Sequence, residues 1–211
     1  MTAFITHCWK NARLDLIGLL ACACLVWGCP APARADAPVT EISLLRFERA
    51  GDAVLLSATV TFELPTAVEE ALLKGVPMIF VAEVDVFRER WYWMNQKVVS
   101  AERHMRLAYQ PLTRRWRLSA ASGVITKAGL GVALNQNFET LTEALTAVQR
   151  LSRWKISDAA EIDLEQPHLV EFRFRLDVSQ LPRPLQIGTL GQSDWNIAAS
   201  SRRPLVLESS K

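Results

Sequence analysis

Val76-Pro77-Met78-Ile79-Phe80-Val81-Ala82-Glu83-Val84-Asp85-Val86-Phe87 is the stretch on which the fold turns. Val76, Met78, Phe80, Ala82, Val84 and Val86 form one apolar series, and Ile79, Val81, Glu83, Asp85 and Phe87 form the other. A period of two belongs to a β-strand, because successive side chains point to opposite faces of a sheet. The first series is a core face. Glu83 and Asp85 on the second make it the wet face. Continuing the phase would put Arg88, Arg90 and Tyr92 in the core and leave Trp91 and Trp93 in water, so a bulge or turn is expected near Arg88–Arg90.

Upstream, Ile42 to Arg49 and Val54 to Phe62 read as strands, joined by the hairpin signal Ala50-Gly51-Asp52. A short helix follows over Ala67 to Lys74. Pro65 suits its first turn, Glu69 and Glu70 favour its start and Gly75 its stop.

Downstream, Lys97 to Tyr109 sets Val99, Ala101, Met105 and Leu107 against Glu102, His104 and Arg106. After the turn Gln110-Pro111-Leu112, the segment Thr113 to Ala120 directs Trp116 and Leu118 inward and Arg115 and Arg117 outward. Residues 121–137 read as a long loop with a weak strand. A helix is expected from Phe138 to Leu151, capped by Asn137, with Thr140 and Glu143 spaced for a capping box. Trp154 to Ser157 reads as a short strand, and His168 to Val178 as a clear one, with Val170, Phe172, Phe174 and Leu176 inside. Leu181 to Leu185 is proline-broken and cannot be a central strand. Turns and an edge strand lie around Trp195.

Strands in runs, without strand–helix alternation, exclude a doubly wound fold. The sequence therefore predicts a mainly β chain: an antiparallel β-sandwich-like sheet with two short helices. Residues 36–200 form a single β-rich domain, followed by a polar C-terminal tail over 201–211.

The 211 residues are 50% hydrophobic and 22% charged, which argues against disorder. A net charge of +2 argues against nucleic acid as a partner. The four cysteines, Cys8, Cys22, Cys24 and Cys29, crowd into the first 29 residues. There Lys10 and Arg13 precede the apolar run Leu16 to Cys29, Pro30 and Pro32 break it, and Ala33 and Ala35 stand at the positions a signal peptidase reads before Asp36. Residues 1–35 thus read as a secretory signal peptide that engages the export membrane. Export, most simply to a periplasm, is expected. The run is short of the roughly 20 residues a spanning helix needs. An uncleaved anchor, or a lipid on Cys29 after Val26-Trp27-Gly28, are the alternatives. Cleavage would remove Lys10, Arg13 and Arg34 against Asp15, leaving a neutral, cysteine-free chain.

The densest chemistry lies between residues 88 and 117. Arg88, Arg90, Lys97, Arg103, Arg106, Arg114, Arg115 and Arg117 face only Glu89 and Glu102, with Trp91, Tyr92, Trp93, Tyr109 and Trp116 interleaved. Arginine beside aromatic rings suits a glycan or an anionic lipid. The same residues also make ordinary ladders on a wet sheet face. The binding candidates are Arg88, Arg90, Trp91, Trp93, Arg114, Arg115 and Arg117.

His104, between Glu102 and Arg106, reads as part of a solvated polar ladder, and His168, after Pro167, as structural. Catalysis would need one of them in a cleft with carboxylates. No HxH, HExxH, G-x-S-x-G or phosphate-cradling glycine loop is present, so neither metal nor cofactor is expected.

Phe62-Glu63-Leu64-Pro65, Val68-Glu69-Glu70-Ala71-Leu72 and Gly75-Val76-Pro77 resemble the start of an exported bacterial family, domain of unknown function 4390. The likeness continues in order through Arg90-Trp91-Tyr92-Trp93, Arg103 to Tyr109, Leu112-Thr113-Arg114, Leu176 to Gln186 and Asp194-Trp195, over roughly residues 40–200. It implies an exported protein of proteobacterial type with a signal peptide, and no catalytic residues. Members are encoded next to membrane histidine kinases of the nitrogen-sensing type, so the resemblance also implies an accessory role at the membrane. Three functions follow as expectations: a non-catalytic interaction module for a membrane protein's exported domain, an envelope ligand binder, or an enzyme built on His104 or His168.

Overall fold

A computed structural model describes residues 40–90, 95–122, 134–163, 166–183 and 195–209. The signal-peptide reading, including Ala33, Ala35 and Asp36, falls outside these residues, as do Trp91 and Trp93.

β1 (Glu41–Ala50) and β2 (Ala53–Thr61) form the expected hairpin, with Ala50 opposite Ala53 and Gly51 at φ 61° in the two-residue turn. A left-handed turn residue matches the twist of the flanking strands, and glycine adopts it without a Cβ clash. A bulge at Ser43 resets the phase of β1, so that Ile42 and Phe47, five residues apart, are both buried.

α1 (Thr66–Leu73) starts after Pro65. It ends in a Schellman turn, in which Gly75 at φ 84° donates to the Leu72 carbonyl and Val76 to that of Ala71. β3 (Met78–Arg88), β4 (Gln96–Gln110) and β5 (Arg115–Ser122) then meander antiparallel.

β6 (Leu134–Phe138) pairs with β5, and α2 (Leu141–Gln149) follows. This corrects the expected start of the helix. Asn137 lies in β6 opposite Arg117, and the cap is Thr140, whose hydroxyl accepts from the Glu143 N–H while Glu143 returns to the Thr140 N–H. A reciprocal capping box outweighs a lone asparagine.

β7 (Arg150–Asp158) is longer than the sequence suggested. β8 (His168–Leu176) carries Val170, Phe172, Phe174 and Leu176 inward as expected. β9 (Ala198–Pro204) and β10 (Leu207–Ser209) correct the reading of residues 201–211 as a tail. Ser201 to Pro204 continue the ladder along β8, and Leu207 to Ser209 cross to pair parallel with β1. Polar side chains are what an edge strand carries on its wet side, which is why composition read as a tail.

The strands order as β10-β1-β2-β7 and β6-β5-β4-β3-β8-β9, giving the predicted mainly β, sandwich-like architecture with one parallel pair. Phe62, just beyond β2, stacks with Phe80 of β3 and meets Phe174 of β8, with ring centroids 5.6–5.9 Å apart. That triad ties the two sheets through one core.

The sheets differ in width by two strands. α2 therefore packs against β5 and β6 where the smaller sheet has run out.

Candidate functional site

β3 is central and buried on both faces. Val81 has no exposure, and Asp85 is 3% exposed. Glu83 and Asp85 are thus not solvent-facing but the centre of an ion ladder. Arg173 donates to Glu83 at 3.2 Å, Asp85 at 2.8 Å and Glu171 at 3.1 Å, and Arg175 donates to Glu83 at 2.8 Å. A bulge at Val98 sets Val86 opposite Val99 but Phe87 opposite Lys97. This bulge resets the phase of β4; β3 itself runs unbroken to Arg88, and the phase change expected to bring Trp91 and Trp93 inward falls outside the described residues. The bulge brings Lys97 within 2.9 Å of Asp85, to which the Ser100 hydroxyl donates at 2.7 Å.

Burial works to raise the Asp85 pKa, but Ser100, Lys97 and Arg173 outweigh it and hold the carboxyl below its usual value. Glu83 is lowered in the same way, with Arg175 and Arg173 overcoming burial.

The basic residues expected to bind together are distributed. Arg88 is half-buried at the end of β3, and exposed Arg90 donates to the Gln96 side-chain oxygen. Arg114 takes φ 52° in the turn before β5, and exposed Arg115 lies 3.9 Å from Glu139. Arg117 points outward as read. Arg88 pairs with Gln96 at one end of β4 and Arg115 with Gln110 at the other. A 15-residue strand separates those ends by about 45 Å. The arginines do not form one patch.

His104 and His168 are both buried. His104 is 6% exposed on the outer face, 3.4 Å from Glu102, which corrects its reading as part of a solvated ladder. His168 is 4% exposed, and its Nδ1 lies 2.8 Å from the Gln166 carbonyl, so Nδ1 carries the proton. His168 Nε2 and the Nε of Arg88, its cross-strand neighbour, are buried without a hydrogen-bond partner among the described residues. Neither histidine lines a cavity bounded by the described residues.

A cavity of about 650 Å³ bounded by the described residues lies under the overhang. Its floor is the inner face of β4–β6: Arg103, Met105, Leu118, Ala120, Leu134, Gln136 and Phe138. Its roof is α2 and the start of β7, through Glu143, Thr146, Ala147, Arg150, Leu151 and Ser152. Leu134 is 64% exposed although it stands on the inner face, because no strand of the smaller sheet reaches it.

Arg103 is the residue the sequence reading passed over. The inner series of β4 runs Val99, Ala101, Arg103, Met105, Leu107, and an arginine in phase with a core face was the available signal. Its neighbour across β3 is Ala82, and its guanidinium makes no ion pair or hydrogen bond among the described residues. Burial pushes its pKa down from the ordinary value, though an arginine stays charged. Glu143, the one acid on the lining, turns its carboxylate back to the N–H groups of Glu139 and Thr140. A second hollow of about 280 Å³ shares Arg103, Ala120, Leu134 and Ser152 with the first and adds Arg153 and Lys155.

Among the described residues no helix is long and apolar enough to cross a membrane, and no group of three or more His, Cys, Asp or Glu is placed to hold a metal ion. No curated protein and no solved structure matches the chain. The family model for a domain of unknown function, DUF4390, matches residues 37–203, from just after the expected cleavage point to the end of β9, and the chain belongs to that family.

Proposed function

We propose that this protein is an exported, non-catalytic binding module whose ligand seat is the cleft under the overhanging edge of the six-stranded sheet. The observation that carries this reading is the inner face of β4–β6, which the smaller sheet does not reach and α2 covers only across a cleft, with Arg103 on it making no ion pair or hydrogen bond among the described residues. Folding alone favours covering such a face and pairing such a charge. Supporting a binding role over catalysis, His104 and His168 stand outside the cleft lining.

Export rests on the order of Lys10 and Arg13, the apolar run, and Ala33 and Ala35. An accessory role beside a membrane protein's exported domain extends the same reading.

The anionic, amphiphilic dye 8-anilino-1-naphthalenesulfonate tests the seat. The protein should bind it saturably at one site, and Ala147→Trp, which fills the cleft from its roof, should abolish that signal with the circular dichroism unchanged. Equal dye binding by a folded Ala147→Trp variant would overturn the proposal. Sequencing the N-terminus of protein recovered from the cell envelope should begin at Asp36; a chain beginning at Met1 would overturn cleavage.

A further inference from the structure

We infer that the cleft takes a single-chain anionic amphiphile, its carboxylate on Arg103 and its alkyl chain along the floor of β4–β6. This inference rests on the binding-module reading above and gives its ligand a chemistry. The cavity, at about 650 Å³, falls within the range of small-molecule sites, roughly 300–1,000 Å³.

Its lining divides by polarity. Met105, Leu118, Leu134, Phe138 and Leu151 supply most of the floor and back of the cleft, with Gln136 opposite Leu118 and Thr146 and Ser152 on the roof side as its uncharged polar groups. At its border stands Arg103, and the adjoining hollow beyond it adds Arg153 and Lys155. Lys155 is held by Asp158 at 2.6 Å and Arg153 lies 3.7 Å from Glu48, so both already have acids nearby. Arg103 has none, and Glu143 is engaged by its own helix start. A guanidinium fork half-removed from water and facing a mostly apolar cleft is complementary to a carboxylate that brings a hydrocarbon with it. A cationic head would meet four cations, Arg103 and exposed Arg150 on the cleft and Arg153 and Lys155 in the adjoining hollow, and a small anion alone would leave the apolar floor wet. Leu134, open at the rim, is the surface a chain would cover.

The test is displacement of the dye from the purified protein by octanoate, decanoate, dodecanoate, dodecanol, dodecyltrimethylammonium and acetate. Each added methylene of the carboxylates should tighten binding about three- to fourfold. Dodecyltrimethylammonium should bind at least tenfold more weakly than dodecanoate, and acetate should not displace the dye. Arg103→Met should weaken dodecanoate at least tenfold and leave dodecanol unchanged, while Arg103→Lys should recover part of the loss. Should dodecyltrimethylammonium match dodecanoate, or Arg103→Met leave dodecanoate unchanged while Ala147→Trp still blocks the site, the ligand class is overturned and the binding seat stands. If neither Ala147→Trp nor the rim variant Leu134→Trp alters binding of dodecanoate or dye, both readings fall.

Discussion

On the outer face of the six-stranded sheet, Arg173 reaches Asp85, Glu171 and Glu83 within 3.2 Å; on the inner face, two strands away, Arg103 reaches no acid among the described residues. Both side chains are arginines in strands that flank β3. Glu83 lies directly across from Arg173, whereas Ala82 lies across from Arg103. A one-residue difference in phase on β3 thus decides which arginine is tied into the fold and which is left with unspent hydrogen-bonding capacity. The first charge is neutralised where it stands and helps hold buried Asp85 and half-buried Glu83 ionised. The second contributes nothing comparable to the folded state, and that is what makes it available to something else.

The contrast breaks most readily at Arg173. Arg173→Met strips Asp85 and Glu83 of a shared partner while both remain largely buried. The Arg173 side chain is 39% exposed and Lys97 and Arg175 stay in place, so the loss should be about 1–2 kcal/mol, below that of a fully buried pair. Urea unfolding should show that loss as a lower midpoint at unchanged slope. A change under about 0.5 kcal/mol, the scale of an ordinary surface substitution, would mean the ladder is ornamental.

Acid probes the same network without mutation, with a smaller effect, because Lys97, Arg173 and Arg175 all stay in place. Asp85 and Glu83 have folded pKa values below their ordinary 3.8 and 4.5. A depressed carboxylate stabilises the fold above its unfolded pKa, and that stability is lost as pH falls through the folded pKa. Stability should therefore hold from neutrality to about pH 5, begin to fall as pH passes 4.5 and 3.8, and continue falling below them. In Arg173→Met that acid limb should flatten. An unchanged limb would assign it to other carboxylates.

Much of this architecture is legible in the residues. The period-two series of β2, β3 and β8, the Gly51 hairpin, the Thr140–Glu143 box and the Gly75 stop are local signals, and local physics decides them. What escaped is what depends on neighbours not adjacent in sequence. Glu83 and Asp85 look like a wet face until β8 supplies Arg173 and Arg175, nearly 90 residues on. The Ser43 and Val98 bulges shift register without any Gly or Pro to announce them. The cleft arises from a mismatch in sheet width, and sheet width is a property of pairing order, which no single strand encodes. The arginine-rich segment 88–117 was conspicuous in one dimension, yet β4 stretches it from one end of the sheet to the other. Arg103, in its middle, was visible only as a break in an apolar series.

The roof of the cleft supplies the next comparison. α2 is nine residues long, too short to persist without its tertiary contacts, and its start depends on the Thr140–Glu143 box. Thr140→Ala removes the acceptor of the Glu143 N–H and should cost about 1 kcal/mol by thermal or urea unfolding. It also weakens the geometry that turns the Glu143 carboxylate back on the helix start. The freed acid would then be the nearest candidate partner for Arg103, and dodecanoate binding should fall while dodecanol binding holds. Equal losses for both ligands would mean that α2 simply frays and the roof opens.

Arg103→Met is expected to give the smallest change in stability and the sharpest separation. It removes a half-buried charge whose only resolved influence is desolvation, and it leaves no acid behind to lose a partner. Met is unbranched and adaptable, so it can lie against Met105 and Leu134 without strain. The unfolding free energy should change by less than about 0.5 kcal/mol, or rise, since replacing an uncompensated buried charge by an apolar side chain is neutral or stabilising. Set beside Arg173→Met, this asks whether two arginines in one sheet differ in kind. Equal destabilisation by both would show that Arg103 is held by the fold after all. A large loss at Arg173, with none at Arg103, would leave ligand recognition as the role for a charge that the structure otherwise does not use.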